Sequence, residues 1–383
     1  MEIRRLFYED SHLTDFTATV TSCAPAEGGW RVTLDATAFY PEGGGQACDL
    51  GTLGNAKVLD VQEKEDKIFH LCDAPLEIGA AVAGRIDWKR RFDLMQQHSG
   101  EHIVSGIICS RFGYHNVGFH VGSDRMEIDF DGPVPLDALT EIERLANEAV
   151  WKDLPIRCWY PSEAELPTVP YRSKKVLEYP VRIVEIPGVD SCACCGVHVK
   201  NSGEIGLIKL ISCVKFHSGV RIELCCGSRA LALTQAVFAQ NRQVSQAFSA
   251  KMLETGAAAI KMNEQLASEK LRANTLQSQL LRQTARSYEH AGHVLHFEEN
   301  LTGAQLRELA DAIAAVCGGR AAVLSGSGDN WNICILYPGG DPTPLISQLK
   351  ATFPTRGGGK PGSFQGTVQA DKSALEEFFR SQA

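Results

Sequence analysis

The chain has 383 residues, 46 acidic against 38 basic side chains and a net charge of −8, which bounds it to about two or three domains and argues against a protein that coats nucleic acid by bulk charge. Hydrophobic content of 44% and charged content of 22% describe an ordinary globular chain, and the 13 cysteines, scattered and sometimes adjacent as at Cys225 and Cys226, favour reduced thiols over a disulfide framework. No apolar run approaches the roughly 20 residues that span a bilayer and MEIRRLFYEDSH lacks a signal-peptide core, so a cytoplasmic protein with no membrane partner is expected.

Residues 1–88 hold short alternating runs, 29–34 and 56–61 among them, separated by glycine-rich turns, the pattern of a small β-barrel or meander. Within them TAFYPEGGGQ (37–46) follows the strand 31–34. Gly43, Gly44 and Gly45 let a backbone approach a ligand closely, and Thr37 and Gln46 offer neutral hydrogen bonds. The bland alternative is a surface turn.

From 89 to 228 helices and strands mix in an α+β pattern. Segment 92–109 reads as a helix with Leu94, His98 and Ile103 near one face, which stacks His98 and His102 of QQHSGEH on adjacent turns. A hairpin-like stretch (118–130), a helix carrying Leu139, Ile142 and Leu145, and a strand-like run (181–186) come next. They lead to the turn CACCGVH, with Cys194 and His198, and then to GEIGLIKLI, which reads as another strand. The two pairs, each spaced i, i+4, supply four soft or borderline donors suited to tetrahedral Zn2+. Either pair alone is as readily a surface or core feature; it is their co-occurrence that points to metal. Cys192, Cys194 and Cys195 all lie near His198, and Cys194 repeats the spacing of the histidine pair. Four protein ligands are the habit of structural zinc, so the ion either expands its coordination, releases a ligand, or only shapes a pocket. Basic clusters Lys89, Arg90, Arg91 and Arg172, Lys174, Lys175 flank these two segments.

Residues 229–293 read as a long helix or helical hairpin, with Leu231, Val237, Val244, Phe248, Leu266 and Leu280 along it and a bend near Gly256. Its heptads are too irregular for a strict coiled coil, which leaves a spacer or a dimerisation device. In 294–383, Thr302 caps a helix carrying Leu306, Leu309, Ile313 and Val316 that ends at Gly318. Two strands meet across SGSGDN, and a further helix follows Pro342. The closing RGGGKPGSFQG (356–366) places Gly358, Gly359 and Lys360 where backbone N–H groups and a cation can hold a phosphate, or else is a plain turn.

The motifs FYPEGGGQ (39–46), RFDLMQQHSGEH (91–102), VGFHVG (117–122), CCGVHV (194–199), GEIG (203–206) and GVRIELCCG (219–227), followed by GGGKPGSFQG, cover almost the whole chain. Together they resemble the long form of the alanyl-tRNA editing proteins, freestanding relatives of the editing domain of alanyl-tRNA synthetase. The resemblance implies an α+β fold: a small N-terminal β-barrel (1–88), a zinc-containing editing domain (89–228), a long helical linker (229–293) and a C-terminal α/β domain (294–383) like that associated with DHH phosphoesterases. It implies zinc at His98, His102, Cys194 and His198, and deacylation of tRNA(Ala) mischarged with serine or glycine. It sets Gln46 and the loop Gly43, Gly44, Gly45 beside the substrate. The C-terminal domain becomes a tRNA-binding or dimerising unit, and a homodimer through the long helix and that domain is a candidate assembly. Candidate tRNA contacts are Lys360, Gly358, Gly359, Arg90 and Arg91. The family motif runs C-G-G-T-H, whereas Cys195 and Val197 here replace a glycine and a threonine. No room remains for an aminoacylation domain, which implies editing in trans.

The chemistry is coherent. A synthetase pocket shaped for a methyl group rejects an added hydroxyl only about a hundredfold, whereas a second pocket that hydrogen-bonds the seryl hydroxyl disfavours alanine. Thr37 is the candidate for that contact. Water attacks the ester carbonyl, with the oxyanion stabilised by the metal or by N–H groups from Gly43 to Gly45. Glu101 and Glu42 are candidate bases; a metal-positioned water or the ribose hydroxyl are alternatives. Two rivals stand beside this reading. HSGEH fits the zinc-peptidase pattern H-x-x-E-H with Glu101 as base, though that needs a downstream carboxylate ligand. A filled ligand shell also suits a non-catalytic, zinc-stabilised tRNA-binding protein. A nuclease is disfavoured because the Asp-His-His motif of the DHH core is absent from the sequence.

Overall fold

The computed structural model describes residues 3–173 and 177–382, so Lys174 and Lys175 lie outside the described residues. It divides into two compact units, 1–243 and 244–383.

The first unit opens with β1 (Arg4–Arg5) and a single turn α1 (Leu6–Glu9). There follow β2 (Asp15–Ala26), β3 (Gly29–Leu34), β4 (Ala36–Thr37), β5 (Gly51–Leu53), β6 (Ala56–Lys64), β7 (Lys67–Cys72) and β8 (Ala81–Ile86). Six of these strands close into a barrel in the order β2-β3-β7-β6-β5-β8, and β1 pairs in parallel with β4. Period-two alternation turns Val32, Leu34, Val58, Ile68 and Val82 inward. Register shifts at Val20/Ser22 in β2 and Val58/Asp60 in β6 supply the local bends that closure needs.

Next comes α2 (Trp88–Phe112), started by Asp87, whose side chain accepts from the Arg90 N–H, and stopped by Gly113 at φ 72°. The unit continues with β9 (Asn116–Val121), β10 (Met126–Phe130), α3 (Ala138–Trp151), β11 (Arg157–Trp159), β12 (Ile183–Ile186), β13 (Asp190–Ala193), β14 (Ile208–Phe216), β15 (Gly219–Cys226) and α4 (Gly227–Ala247). Strands β14-β15-β10-β9 form one antiparallel sheet and β11-β12-β13 another. The middle of α2, from Leu94 through Gly106, is buried at every position. Such close seating needs glycine: a Cβ on Gly100 would meet the Cys226 sulfur at 2.2 Å, and one on Gly106 the Val189 carbonyl at 2.4 Å. A single hydrophobic core runs from the barrel through α2 into the antiparallel sheets. The segment GEIG does not join the following strand as expected. Asn201 and Glu204 form a reciprocal capping box that closes a 3-10 turn over Ser202–Ile205, and the strand starts only at Ile208.

The second unit contains α5 (Thr255–Arg286), β16 (Gly292–Glu298), α6 (Gly303–Cys317), β17 (Gly318–Ser327), β18 (Asn330–Leu336), α7 (Thr343–Thr352), β19 (Thr355–Gly358), β20 (Ser363–Gln369) and α8 (Lys372–Ser381). Its sheet order is β16-β17-β18-β20-β19, with β16 and β17 parallel and joined through α6. Leu281 and Ala285 of α5 and Leu309 and Ile313 of α6 pack with Ala321 and Val323 of the sheet. Leu345 and Leu349 of α7 and Leu375 and Phe379 of α8 pack with Ala322 and Leu324. Successive residues of β17 thus serve opposite faces. The long helical run breaks between Ala247 and Thr255, ahead of the bend expected at Gly256. Ser249 takes φ 51° there, and the Ser245 hydroxyl donates to the Ala250 carbonyl. No helix among the described residues is long and apolar enough to cross a membrane.

Candidate metal centre and its cavity

Helix α2 presents His98 and His102 from adjacent turns, and the turn after β13 brings Cys194 and His198 to them; one donor atom from each lies within 4.8 Å of all the others. Cys194 Sγ is 3.4 Å from His98 Nε2 and 3.6 Å from His198 Nε2. Zinc bonds of about 2.0–2.1 Å to nitrogen and about 2.3 Å to sulfur, at tetrahedral angles, separate such donors by about 3.5 Å. Those two separations match that spacing, and the four side chains together could hold one metal ion.

Each imidazole is held by its other nitrogen. His98 Nδ1 donates to Gln46 Oε1 at 2.8 Å, His102 Nδ1 to Asp190 Oδ2 at 2.8 Å, and His198 Nδ1 pairs with Ser99 Oγ at 3.2 Å. These partners set the tautomer in which Nε2 is the ligating nitrogen. Burial, followed by the neighbouring His98 and His102, pushes His198 well below the ordinary histidine range, so it stays in the neutral, ligating form. Burial, with Cys195 next, pushes the Cys194 thiol up, and the Gly196 N–H donates to its sulfur at 3.3 Å. A bound cation reverses that preference, since metal binding displaces the thiol proton.

Of the other two cysteines, Cys195 is exposed, with its sulfur towards Gly44, and Cys192 groups with His102 and Asp190. Asp190 is already engaged: Arg172 donates Nε and Nη2 to its two oxygens at 2.6 and 2.9 Å while His102 uses Oδ2. Asp190 is thus an orienting acceptor. Asp190→Asn is expected to weaken zinc affinity by about 10–100-fold with the fold retained, measured by chelator competition and circular dichroism; unchanged affinity would remove that role.

Three of the donors, His98, His102 and Cys194, line a cavity of about 170 Å³ whose wall also includes Gly44, Glu101, Phe119, Arg172 and Ser173. Glu101 is 3% exposed; its Oε1 accepts from Ser105 Oγ at 2.7 Å and from Asn116 Nδ2, and its Oε2 stands 3.9 Å from His102 Nε2. In the glycine loop, Gly43 and Gln46 exchange backbone hydrogen bonds at 3.1 and 3.0 Å. The Gly43 N–H is therefore committed, while those of Gly44 and Gly45 have no acceptor among the described residues. Gly45 sits at φ 83°, and a Cβ there would strike the Phe119 ring at 2.5 Å. Gln46 is buried, with Oε1 on His98 and Nε2 unpaired.

Several candidates stand elsewhere. Thr37 is fully buried and outside the cavity wall; its hydroxyl pairs with His70 Nε2 at 2.9 Å and accepts the Phe39 N–H. Glu42 is exposed, accepts from Gln62 Nε2 at 3.1 Å, and does not line the cavity. Arg91 is completely buried against Asp49 and two backbone carbonyls, and is therefore a structural cation rather than an RNA contact. Arg90 is half-buried, its Nε donating to the Cys48 carbonyl at 3.0 Å. Gly358, Gly359 and Lys360 are exposed at the β19–β20 turn of the second unit. Asp190, Ser99 and Asn116 do not stand out in the sequence as site residues, an acid four positions ahead of Cys194 being the only signal for any of them, whereas Arg172 shows only as part of a flanking basic cluster.

Residues 181–222, which include Cys194 and His198, match the family model of the threonyl and alanyl tRNA synthetase second additional domain. Residues 6–90, which include the glycine loop, match that of class II (A) tRNA synthetases. The chain is 35% identical over 227 residues to the mouse (Mus musculus) alanyl-tRNA editing protein Aarsd1, covering 55% of each chain. It is 37% identical over 239 residues to the alanine–tRNA ligase of Ignicoccus hospitalis, covering 59% of this chain and 26% of that one. It is 31% identical over 402 residues to the alanine–tRNA ligase of Pyrobaculum neutrophilum, covering 98% of this chain and 44% of that one. The chain thus spans about half the length, or less, of these curated relatives. With the motif-bearing segments matched on both sides of the histidine helix, the chain belongs to the family of alanyl-tRNA editing proteins related to alanyl-tRNA synthetase.

Proposed function

We propose that the protein is a zinc-dependent aminoacyl-tRNA deacylase that acts on tRNA(Ala) mischarged with serine or glycine. The observation that carries this reading is the convergence of three imidazoles and one thiol, with His98, His102 and Cys194 lining a small cavity rimmed by Gly44. The volume, about 170 Å³, lies below the roughly 300–1,000 Å³ of sites for drug-sized ligands. It suits one aminoacyl group better than an extended peptide. The peptidase reading also lacks its carboxylate ligand, because Asp190 serves Arg172 and the far nitrogen of His102.

Zinc bound at this centre supplies a Lewis acid for the ester carbonyl or for water. The chain's own groups do the rest. Gly44, on the cavity wall, and its neighbour Gly45 carry N–H groups with no acceptor among the described residues, and these serve as donors for the oxyanion. Glu101, fixed by Ser105 and Asn116, takes the proton of the attacking water and returns it to the departing ribose oxygen as the acyl–oxygen bond breaks, releasing free amino acid and tRNA. Arg172 and Ser173, rather than Thr37, are the polar wall groups that meet a seryl hydroxyl. In the second unit, the exposed Ile260, Leu266, Leu271, Leu276 and Leu280 along α5 support a homodimer, and Lys360 with its neighbouring glycines supports an RNA contact.

The test is hydrolysis of seryl-, glycyl- and alanyl-tRNA(Ala) by zinc-loaded protein. The seryl ester should disappear about a hundredfold faster than the alanyl ester. Equal rates on all three remove the selectivity, and cleavage of peptides without release of serine moves the protein to the peptidases. The complete donor set favours one other reading, a zinc-stabilised tRNA-binding protein; folded, zinc-loaded protein that binds tRNA without accelerating deacylation would establish it.

A further inference from the structure

A second cavity, of about 350 Å³, adjoins the first, and the two share Leu177, Ala193, Cys194 and Cys195. Its other walls include Arg5, Tyr8, Glu63, Tyr160, Glu178 and Arg182. Arg182 is only 9% exposed. Its Nη1 donates to the carbonyls of Cys194 and Gly196 at 2.9 and 2.8 Å, and its guanidinium carbon lies 4.5 Å from the centre of the Tyr8 ring. No carboxylate among the described residues forms an ion pair with it, so carbonyl dipoles and a ring face offset a buried cation. Arg5, on the same wall, is by contrast already paired with Glu63 and has Asp66 at 3.8 Å. Tyr160, just beyond β11, is 51% exposed.

We infer that this second cavity holds the 3′-terminal nucleotide of the RNA, its base stacked on Tyr160 and its 5′ phosphodiester facing Arg182. The inference rests on the editing reading, because an aminoacyl ester at the metal centre is joined to the ribose of that nucleotide, and the rest of the nucleotide must occupy adjoining space. The chemistry of the walls matches the two parts left over. A purine presents a π face that an exposed tyrosine ring can stack without a sequence-specific hydrogen bond. A phosphodiester is an anion suited to the planar donors of a guanidinium that lacks a carboxylate. Arg182 also ties the two sites mechanically: its bonds to the carbonyls of Cys194 and Gly196 brace the turn that carries the thiol.

Steady-state deacylation of seryl-tRNA(Ala) by Tyr160→Ala, Tyr160→Phe and wild-type protein tests this, with bound zinc measured in each. Tyr160→Ala is expected to raise KM about tenfold while leaving kcat and zinc content unchanged, and Tyr160→Phe, which keeps the stacking face, to match wild type. Adenosine 5′-monophosphate should inhibit wild type competitively and better than adenosine or inorganic phosphate, and Tyr160→Ala should lose that inhibition. An unchanged KM in Tyr160→Ala, or equal inhibition of both proteins, overturns the inference. If wild type hydrolyses neither seryl nor glycyl ester, the editing reading falls on its own. Calorimetric binding of the same nucleotide then decides the cavity separately: Tyr160-dependent binding keeps a nucleotide subsite, and its absence removes it.

Discussion

Cys194→Ser is expected to abolish binding of added zinc and, on the function proposed above, to reduce deacylation of seryl-tRNA(Ala) by about 10²–10³-fold, the scale of losing one preorganised electrostatic element from a transition state. Cys194 Sγ is the sulfur that stands 3.4 and 3.6 Å from the Nε2 atoms of His98 and His198. A serine hydroxyl is shorter, harder, and far less acidic than a thiol, so it neither reaches nor ionises at a site built for a zinc–sulfur bond of about 2.3 Å. Cys192→Ala and Cys195→Ala are the controls: both should keep one zinc per chain, since Asp190 and His102 occupy Cys192's surroundings and Cys195 is exposed beside Gly44. Metal analysis with single-turnover kinetics reads the result. Full zinc in Cys194→Ser, together with its loss in either control, would reassign the ligand. Chelated wild-type protein should be as inactive as Cys194→Ser but recover on adding zinc, which separates metal loss from misfolding. Zinc held by these four donors would bind the folded state, so its removal should also lower the unfolding temperature, by an amount that grows with free zinc over the dissociation constant.

What is legible in the sequence is whatever depends on spacing along one element. His98 and His102 face one way because α2 is a helix, and Cys194 and His198 meet them because a turn after β13 can bend. The glycine loop is legible for the same reason, since positive φ at Gly44 and Gly45 is a local requirement. Side chains whose roles depend on a partner far along the chain are not legible. Thr37 is the candidate contact for the seryl hydroxyl, but its own hydroxyl pairs with His70, on β7 of the same barrel. Arg91 reads as part of a basic cluster, yet folding brings Asp49 against it. The partners of the ligating imidazoles are of this kind too. Gln46 reads as a substrate group, but its carbonyl oxygen serves His98, and nothing along the chain marks Asp190 as the acceptor that Arg172 and His102 share. GEIG fails for a local reason, as the Asn201–Glu204 capping box outcompetes strand pairing.

Arg91→Ala is expected to destabilise the first unit by about 3–5 kcal/mol, the typical cost of stranding one member of a buried ion pair. For a domain of this size, about 2–4 °C is lost per kcal/mol, so the unfolding temperature should fall by on the order of 10 °C. Both Arg91 and Asp49 have fully buried side chains. Arg91 Nε donates to the Asp49 oxygens at 2.8 and 2.9 Å and its Nη1 to the Ser11 carbonyl at 2.9 Å, while Asp49 Oδ2 also accepts the Tyr40 N–H at 2.6 Å. The pair thereby pins the start of α2 to the barrel loop from which the Tyr40 hydroxyl holds the Gly43 carbonyl at 3.0 Å. Arg91→Met with Asp49→Asn should recover part of the stability, because it removes the stranded charge while keeping an acceptor for the Tyr40 N–H. Chemical denaturation checks the stability, and tRNA binding against salt checks the alternative role. If Arg91 instead neutralised a phosphate of the RNA, Arg91→Ala would shallow the salt dependence by about one unit of slope and leave the unfolding temperature alone. The buried geometry demands the opposite pattern: a large loss of stability, and an unchanged salt slope in whatever fraction remains folded.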